Sequence, residues 1–331
     1  MIKTTDAKNN VISETVYNSL NQPLTVADAM GNTTTYTHNE LGKVESVTDS
    51  LNHRTEFTYN SRGQNRKHQK IFAVSEIPPL EDQEDQKGEV MLTDDLKNIV
   101  DHAEHLVFFG GAGVSTGSGI PDFRGSGGLY TAENEGEEPP ETILSGAYLR
   151  DCPEKFFAYY KTHMLYPEAK PNAAHIALAK LERRGKLKAI VTQNIDGLHQ
   201  AAGSRHVIEL HGSVMRNYCT HCRKAYPLSY LLDCDGVPRC EICDAVVRPD
   251  VVLYGEGLDG ESFGKAEKAI SEANVLIVGG TSLTVQPAAS LIDLFEGEHL
   301  IIINRTPTPY DGYAEYVIRE PIEDVLRELV E

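Results

Sequence analysis

The stretch Gly110-Gly-Ala-Gly-Val-Ser-Thr-Gly-Ser-Gly-Ile-Pro-Asp-Phe-Arg-Gly125 constrains what this chain can fold into more than any other. It follows His105-Leu-Val-Phe-Phe109, an apolar run of strand length, so the glycines fall where a buried strand opens into a turn. In a parallel α/β sheet, that junction presents backbone N–H groups to a phosphate. A bare Gly-x-Gly after a strand is more often an ordinary tight turn than a nucleotide site. The Gly-x-Gly-x-x-Gly of dinucleotide-binding dehydrogenases is left incomplete, because Thr116 stands in the third glycine's place.

Beyond this stretch strands and helices alternate. Thr93 is expected to N-cap a helix with apolar positions Leu96, Ile99 and Val100, ahead of the strand at 105–109. The pattern then predicts a helix over 171–184, strands at 188–192, 206–210 and 274–279, a helix over 285–296, a strand at 299–303 and a last amphipathic helix from Pro321. Such alternation implies an α/β fold with a doubly wound, parallel, Rossmann-like sheet, interrupted by insertions at 126–168 and 213–250.

The second insertion holds Cys219-Thr-His-Cys222 and, after seventeen residues, Cys240-Glu-Ile-Cys243. Each pair offers two thiolates from one turn, and four sulfurs close a tetrahedron around zinc with no open position. A structural zinc that holds a small module together is therefore expected; for either pair alone, a redox dithiol is the alternative. Cys152 and Cys234 are read as bystanders and His221 as a solvated knuckle residue.

Composition narrows the partners. The 331 residues suffice for two domains, and 49 acidic against 31 basic side chains leave a net charge of −18. A field of that sign repels a phosphate backbone, so no nucleic-acid partner is expected, and it mildly favours lysine-bearing proteins. The first ten residues contain no apolar h-region and no window has the length of a membrane span, so no membrane partner and a cytoplasmic location are expected.

Residues 1 to 65 differ from all that follows. They repeat with a period of twenty-one: Val26/Val47, Asp28/Asp49, Thr34/Thr55, Tyr36/Phe57, Asn39/Asn60 and Gly42/Gly63. Each copy reads as a β-hairpin with Asn-Ser-Leu-Asn or Asn-Glu-Leu-Gly at the turn. The pattern resembles the YD repeats of Rhs proteins, whose strands wind into hollow shells. About three copies are present, too few to close a shell, so a marginally ordered segment with exposed edges is expected. Residues 66–90, with a basic cluster at Arg66–Lys70, Pro78-Pro79 and a dense run of charge, have the composition of a linker. The domain boundary is placed there, with residues 91–331 as one catalytic domain and 213–250 as its zinc-binding insert.

From about residue 92 to the C-terminus, several motifs stand in one order. The glycine stretch continues directly into Ile120-Pro-Asp-Phe-Arg124 and is followed by Thr192-Gln-Asn-Ile-Asp-Gly-Leu-His199 and Glu209-Leu-His-Gly212. The two cysteine pairs come next, then Arg248-Pro-Asp-Val-Val-Leu-Tyr-Gly-Glu256, Gly279-Gly-Thr-Ser-Leu283 and Ile303-Asn304. Together they resemble the sirtuins, the NAD-dependent protein deacylases. Taken singly they are blander: polar residues after a strand can cap a helix, and a lone histidine at a strand end is often structural. Gly117 stands where relatives often carry glutamate or serine, which leaves the chemistry untouched.

The resemblance implies roles. Ala112, Gly113, Thr116, Asp122, Phe123 and Arg124 would form the NAD loop, with Phe123 shielding the intermediate. Asp196 and the Ile195 backbone would hold the nicotinamide carboxamide, Gln193 the ribose, and Asn194 a water or ribose hydroxyl. Gly280, Thr281 and Ser282 would meet phosphate or ribose, and Asn304 the adenosine ribose. His211 would be the general base, and Val251, Tyr254, Gly255 and Glu256 would bind an extended peptide by strand addition. His175 also matches the family, but on a helix face it reads as packing.

One subfamily pattern is missing. Desuccinylating sirtuins place Tyr and Arg three apart on the helix near 156–164; here Phe157 and Tyr160 occupy those positions. Without a cation an acidic acyl group would be desolvated unpaired, so acetyl or another neutral acyl is favoured. The expected activity is NAD-dependent deacetylation of acetyl-lysine proteins, giving nicotinamide, O-acetyl-ADP-ribose and free lysine. The alternatives are an NAD hydrolase or ADP-ribosyl-transferring effector linked to the Rhs-like segment, and a non-enzymatic repeat protein that binds surfaces or carbohydrate. The oligomeric state is left open.

Overall fold

The computed structural model describes residues 2–5, 11–18, 22–28, 33–39, 43–48, 54–59, 65–71, 94–122 and 138–331. Thr93, Phe123, Arg124, the charged stretch 72–90 and the first part of the 126–168 insertion lie outside the described residues. The chain divides into two units, Met1–Glu89 with His299–Glu320, and Val90–Glu298 with Pro321–Glu331.

The first unit begins as an antiparallel meander of β1 (Ile2–Thr5), β2 (Val11–Tyr17), β3 (Pro23–Asp28), β4 (Thr33–His38), β5 (Val44–Thr48), β6 (Arg54–Tyr59) and β7 (Asn65–Ile71). The twenty-one-residue period is two strands of this meander, so Val26 and Val47 fall on β3 and β5 while Thr34 and Thr55 fall on β4 and β6. The repeating asparagine closes the loop between copies. Asn39 donates its backbone N–H to the Lys43 carbonyl at 2.9 Å and accepts the Lys43 N–H on Oδ1 at 3.0 Å; Asn18 does the same with Gln22. A short side-chain acceptor inside the loop is what selects asparagine there. The strands also run further than composition suggested. The basic cluster Arg66–Lys70, expected in a tether, lies within β7, whose backbone pairs with β6.

The second unit starts with α1 (Asp94–His102), whose two acidic residues face the positive end of its dipole and which buries Leu96 and Val100. Strand β8 (Leu106–Gly110) is buried at every position. There follow α2 (Pro140–Ile143), α3 (Gly146–Asp151), α4 (Pro153–His163), α5 (Ala173–Arg183), β9 (Leu187–Thr192), α6 (Leu198–Ala201) and β10 (Val207–Glu209). The small module comprises β11 (Gly212–Cys219), β12 (Ala225–Pro227), α7 (Leu228–Leu232) and β13 (Val247–Val251), with β11 central in an antiparallel sheet. Then come α8 (Gly260–Ser271) and β14 (Val275–Gly279).

Strands β14, β8, β9 and β10 are parallel neighbours in that order, as the strand–helix alternation requires. Helix α5 starts two residues later than the apolar pattern suggested, because Asn172 is its N-cap: Oδ1 accepts from Ala174 N at 3.0 Å and His175 N at 3.4 Å. The helix expected over 285–296 does not form. The chain winds instead as a 3-10 helix over Ala288–Leu294 with Pro287 as its N-cap, the residue before a proline being disfavoured in helical backbone.

The chain then contributes β15 (His299–Ile303) and β16 (Tyr316–Ile318) to the first unit. They pair in parallel, and β16 also pairs with β7 through Tyr316 opposite Lys70 and Val317 opposite Ile71. The last helix, α9 (Ile322–Glu328), belongs to the second unit and packs on α5. Among the described residues no helix is long and apolar enough to cross a membrane.

Candidate active site

Register builds the site. Gly279 lies opposite Gly110, and Gly110 opposite Thr192, so β14, β8 and β9 end together and release their loops on the same edge. That carboxyl edge is where open parallel sheets bind ligands. The loops are joined by Gly111 N–H to Gly279 O at 3.3 Å, Gly113 N–H to Gly280 O at 2.8 Å, Gln193 N–H to Gly110 O at 2.9 Å and Gln193 Nε2 to Thr281 Oγ1 at 3.1 Å. A Cβ on Gly113 would sit 2.8 Å from Gly280 Cα, and Gly280 has φ +60°, so two main chains touch where side chains have no room. Thr116 donates its hydroxyl to Gly113 O at 3.0 Å, which ties the turn from within where dehydrogenases have their third glycine. Ala112 opens a short 3-10 turn in the same loop, and Asp122 closes its described part.

Behind the loops lies a buried polar network that sequence reasoning did not assemble. Ser115, 1% exposed, donates to Asp196 Oδ2 at 2.6 Å and accepts from Asn194 Nδ2 at 3.0 Å. Asp196 Oδ1 accepts the Leu198 N–H at 2.8 Å. Asn172, besides capping α5, donates Nδ2 to Val114 O at 2.8 Å and so anchors the glycine loop to that helix. The available signal for Ser115 was a small hydroxyl residue inside the glycine stretch; its partners His175, Asn194 and Asp196 are 60, 79 and 81 positions away. His175 is wholly buried, with Nδ1 at 2.9 Å from Asn172 Oδ1 and Nε2 at 3.5 Å from Ser115 Oγ. Desolvation pulls its pKa down to about 4, against the attraction of Asp196. Its neighbour His199, ring centroids 4.8 Å apart, is pulled to about 3 by desolvation and by His175.

His211 follows β10. Its Nδ1 lies 2.8 Å from the Gln193 carbonyl, which can only accept, so Nδ1 carries the hydrogen and Nε2 presents its lone pair. Burial lowers the pKa of the ring, partly offset by the Gln193 bond. The Ile195 carbonyl accepts from Val214 N at 2.9 Å, and the His211 carbonyl from Val252 N at 3.0 Å, so the general-base candidate is tied to the expected peptide loop.

In that loop Val251 is 9% exposed and Tyr254 41%. Tyr254 is bridged to Ser145 in parallel register, with Gly146 N–H to Tyr254 O at 3.1 Å and Tyr254 N–H to Leu144 O at 3.0 Å. Gly255 takes φ +85°, which turns the chain. The Glu256 carboxylate faces Arg248. Phe157 and Tyr160 are 0% and 1% exposed in a core with Val214, Val251 and Leu253, and burial pushes the Tyr160 hydroxyl pKa up. Ser282 Oγ lies 2.8 Å from Thr284 Oγ1 on the β14 loop. Asn304 belongs to the first unit, where its amide donates to Thr306 O at 2.8 Å.

The four cysteines meet as their spacing predicts. One sulfur each from Cys219, Cys222, Cys240 and Cys243 lies within 4.8 Å of the others, matching the separation of about 3.8 Å in a tetrahedral zinc–thiolate site. The two pairs repeat one geometry. Cys219 Sγ accepts from His221 N at 3.4 Å and Cys240 Sγ from Ile242 N at 3.5 Å; Arg223 and Asp244, each just after the second cysteine, take φ +62° and +57°. The Tyr226 hydroxyl donates to Cys240 Sγ at 3.2 Å and is the largest cause lowering that thiol's pKa to about 6. Four closed sulfur ligands fit a structural zinc and leave no position for substrate. Cys152 and Cys234 stand outside the cluster, and His221 is exposed, as expected.

Comparisons with known proteins agree with this geometry. The Sir2 family model matches residues 111–287, and the RHS repeat model matches residues 17–52. An NAD-dependent protein deacetylase of Clostridium acetobutylicum is 54% identical over 237 residues, 71% of this chain and 97% of that protein. One of Staphylococcus aureus is 46% identical over 235 residues, 71% of this chain and 96% of its own. Among solved structures, a Sir2 homologue in complex with NAD is 38% identical with a TM-score of 0.66, covering 72% of this chain and 93% of that one. A Sir2 structure with a deacetylated p53 peptide and 3′-O-acetyl ADP-ribose is 36% identical, TM-score 0.66, covering 72% of this chain and 97% of that one.

Proposed function

This chain belongs to the Sir2 family, and from that premise we infer that it is an NAD-dependent protein-lysine deacetylase yielding nicotinamide, O-acetyl-ADP-ribose and free lysine. The observation that carries the reading is the shared end of β14, β8 and β9, which brings the glycine loop, Gln193 to Asp196 and Gly280 to Ser282 to one edge beside His211.

On this reading the backbone of Ala112, Gly113, Gly280, Thr281 and Ser282 meets phosphate and ribose, and Thr116 stiffens the turn. Asp196, oriented by Ser115 and Leu198 N, holds the carboxamide of nicotinamide together with the Ile195 backbone. Gln193 and Asn194 serve the nicotinamide ribose. NAD supplies the glycosidic bond that is cleaved. His211, with hydrogen fixed on Nδ1, removes a ribose hydroxyl proton through Nε2. Val251 to Gly255 receive an acetyl-lysine peptide by strand addition, and the Glu256 carboxylate turns onto Arg248. Buried Phe157 and Tyr160, which offer no cation, favour a neutral acyl group.

Residues 91–331 are the catalytic domain, 213–250 its zinc module held by the four cysteines, and 1–65 a repeat segment outside the chemistry. The expected setting is the cytoplasm. Mass spectrometry of an acetyl-lysine peptide incubated with and without NAD tests the activity. NAD-independent deacetylation, or activity untouched by His211→Ala, would overturn it.

A further inference from the structure

The peptide loop is fastened at both ends by one ion pair. Arg248 Nη1 lies 2.6 Å from Glu256 Oε1 and Nη2 lies 2.9 Å from Glu256 Oε2, a two-pronged pairing whose side chains are 13% and 31% exposed. Each partner also holds the chain it spans. Arg248 donates Nε to Pro249 O at 3.2 Å and Nη2 to Val251 O at 2.9 Å, while Glu256 Oε2 accepts from Leu253 N at 3.0 Å. Three main-chain groups between the two residues are thus bound to the pair that closes the loop.

Opposite the carboxylate is Gly146, where an added Cβ would lie 2.9 Å from Glu256 Oε1. Gly146 N–H also bonds Tyr254 O at 3.1 Å, so the segment that bridges the loop leaves just enough room for the pair. The arrangement leaves Glu256 facing Arg248 and Leu253 N, a different task from touching a substrate. The Glu256 pKa is lowered by Arg248 and Leu253 N although desolvation works against it, which keeps the pair ionised at neutral pH.

We propose that Arg248 and Glu256 are positioning residues for the peptide: a clasp that holds residues 249–255 at the pitch on which an extended substrate can add as a strand. The inference rests on the deacetylase reading for its substrate and adds what sets affinity. Strand addition works through main-chain directions, so the cost of opening the clasp falls on substrates with flanking peptide bonds and not on NAD. The loop reaches the general base through Val252 N–H to the His211 carbonyl, a bond to which neither the Arg248 nor the Glu256 side chain is a party.

The test compares Glu256→Gln, Arg248→Lys and Gly146→Ala in the full chain. Its substrates are a ten-residue acetyl-lysine peptide and a single acetyl-lysine capped at both ends. In Glu256→Gln the KM for the long peptide is expected to rise about ten-fold, with kcat and the KM for NAD within about two-fold. The capped single residue, having no strand to add, should change little. Arg248→Lys, which keeps the charge and part of the bonding, should fall between, and Gly146→Ala, which keeps both charges but crowds the carboxylate, should shift the same constant.

Binding of the long peptide is read separately by fluorescence anisotropy. Peptide binding weakened in the variants, with no NAD-dependent deacetylation even by the wild-type chain, would sink the activity and leave the clasp standing. An unchanged long-peptide KM and affinity in Glu256→Gln and Gly146→Ala, or equal losses for both substrates, would overturn the clasp.

Discussion

Nδ1 of His211 lies 2.8 Å from the main-chain oxygen of Gln193, so the loop that leaves β9 decides which ring nitrogen of the general base is free. His211→Ala is expected to lower kcat/KM by about 10²- to 10⁴-fold. The neutral ring is the active form, and burial places its pKa below the ordinary 6.5. The acid limb of kcat/KM should therefore lie below pH 6.5; initial rates from pH 5 to 8 check it, and a limb centred above 6.5 contradicts the assignment.

Ser115 and Asp196 should act as a unit. Hydrogen bonds to charged groups are worth about 1.5–3 kcal/mol, so Ser115→Ala is expected to weaken NAD use by roughly ten- to a hundred-fold. In a cycle with Asp196→Asn the two losses should fall well short of adding. Steady-state kinetics on the four proteins measures this, and full additivity would separate the pair.

The histidines behind the site should make the protein acid-sensitive. His175 and His199 protonate near pH 4 and 3 in the fold but near 6.5 unfolded, so between those values the unfolded chain binds more protons. The stability that comes from keeping them neutral is complete above pH 6.5 and is lost as pH falls toward 4 and 3, on the order of 3 kcal/mol or more for each. Both ring nitrogens of His199 lack a hydrogen-bond partner among the described residues. His199→Leu should thus flatten the slope; urea midpoints at pH 7 and pH 5 give the comparison.

Loss of zinc should abolish activity although no sulfur is placed for chemistry. Cys240→Ser removes the ligand that two donors, Tyr226 and Ile242 N, already orient. Metal content measured by atomic absorption should fall from about one zinc per chain. Tyrosine fluorescence of the module should change at the same time, and a zinc-free chain with full activity would remove the structural role.

Deleting residues 1–88 should leave kcat/KM within about two-fold of the full chain. The curated relatives match over 237 residues that are 97% of the Clostridium acetobutylicum protein, so they carry the fold without a counterpart of the repeats. A large loss on deletion would assign the repeats a part in catalysis.

Local chemistry carried much of this protein in its residue order. The apolar run before Gly110, the twenty-one-residue period, the cysteine spacing and the loops after Val191 and Leu210 each depend on neighbours a few residues away, which linear order records. The α-helix that the apolar pattern favoured over 285–296 is a 3-10 helix that begins only after Pro287, because the residue before a proline is disfavoured in helical backbone. Tertiary structure alone decided which distant groups meet: Ser115 with Asp196 and Asn194, Gly113 against Gly280, and His211 on the Gln193 carbonyl. Those pairings follow from parallel strands ending in register, a property of hydrogen bonding between strands far apart in the chain, and no local pattern of residues encodes it.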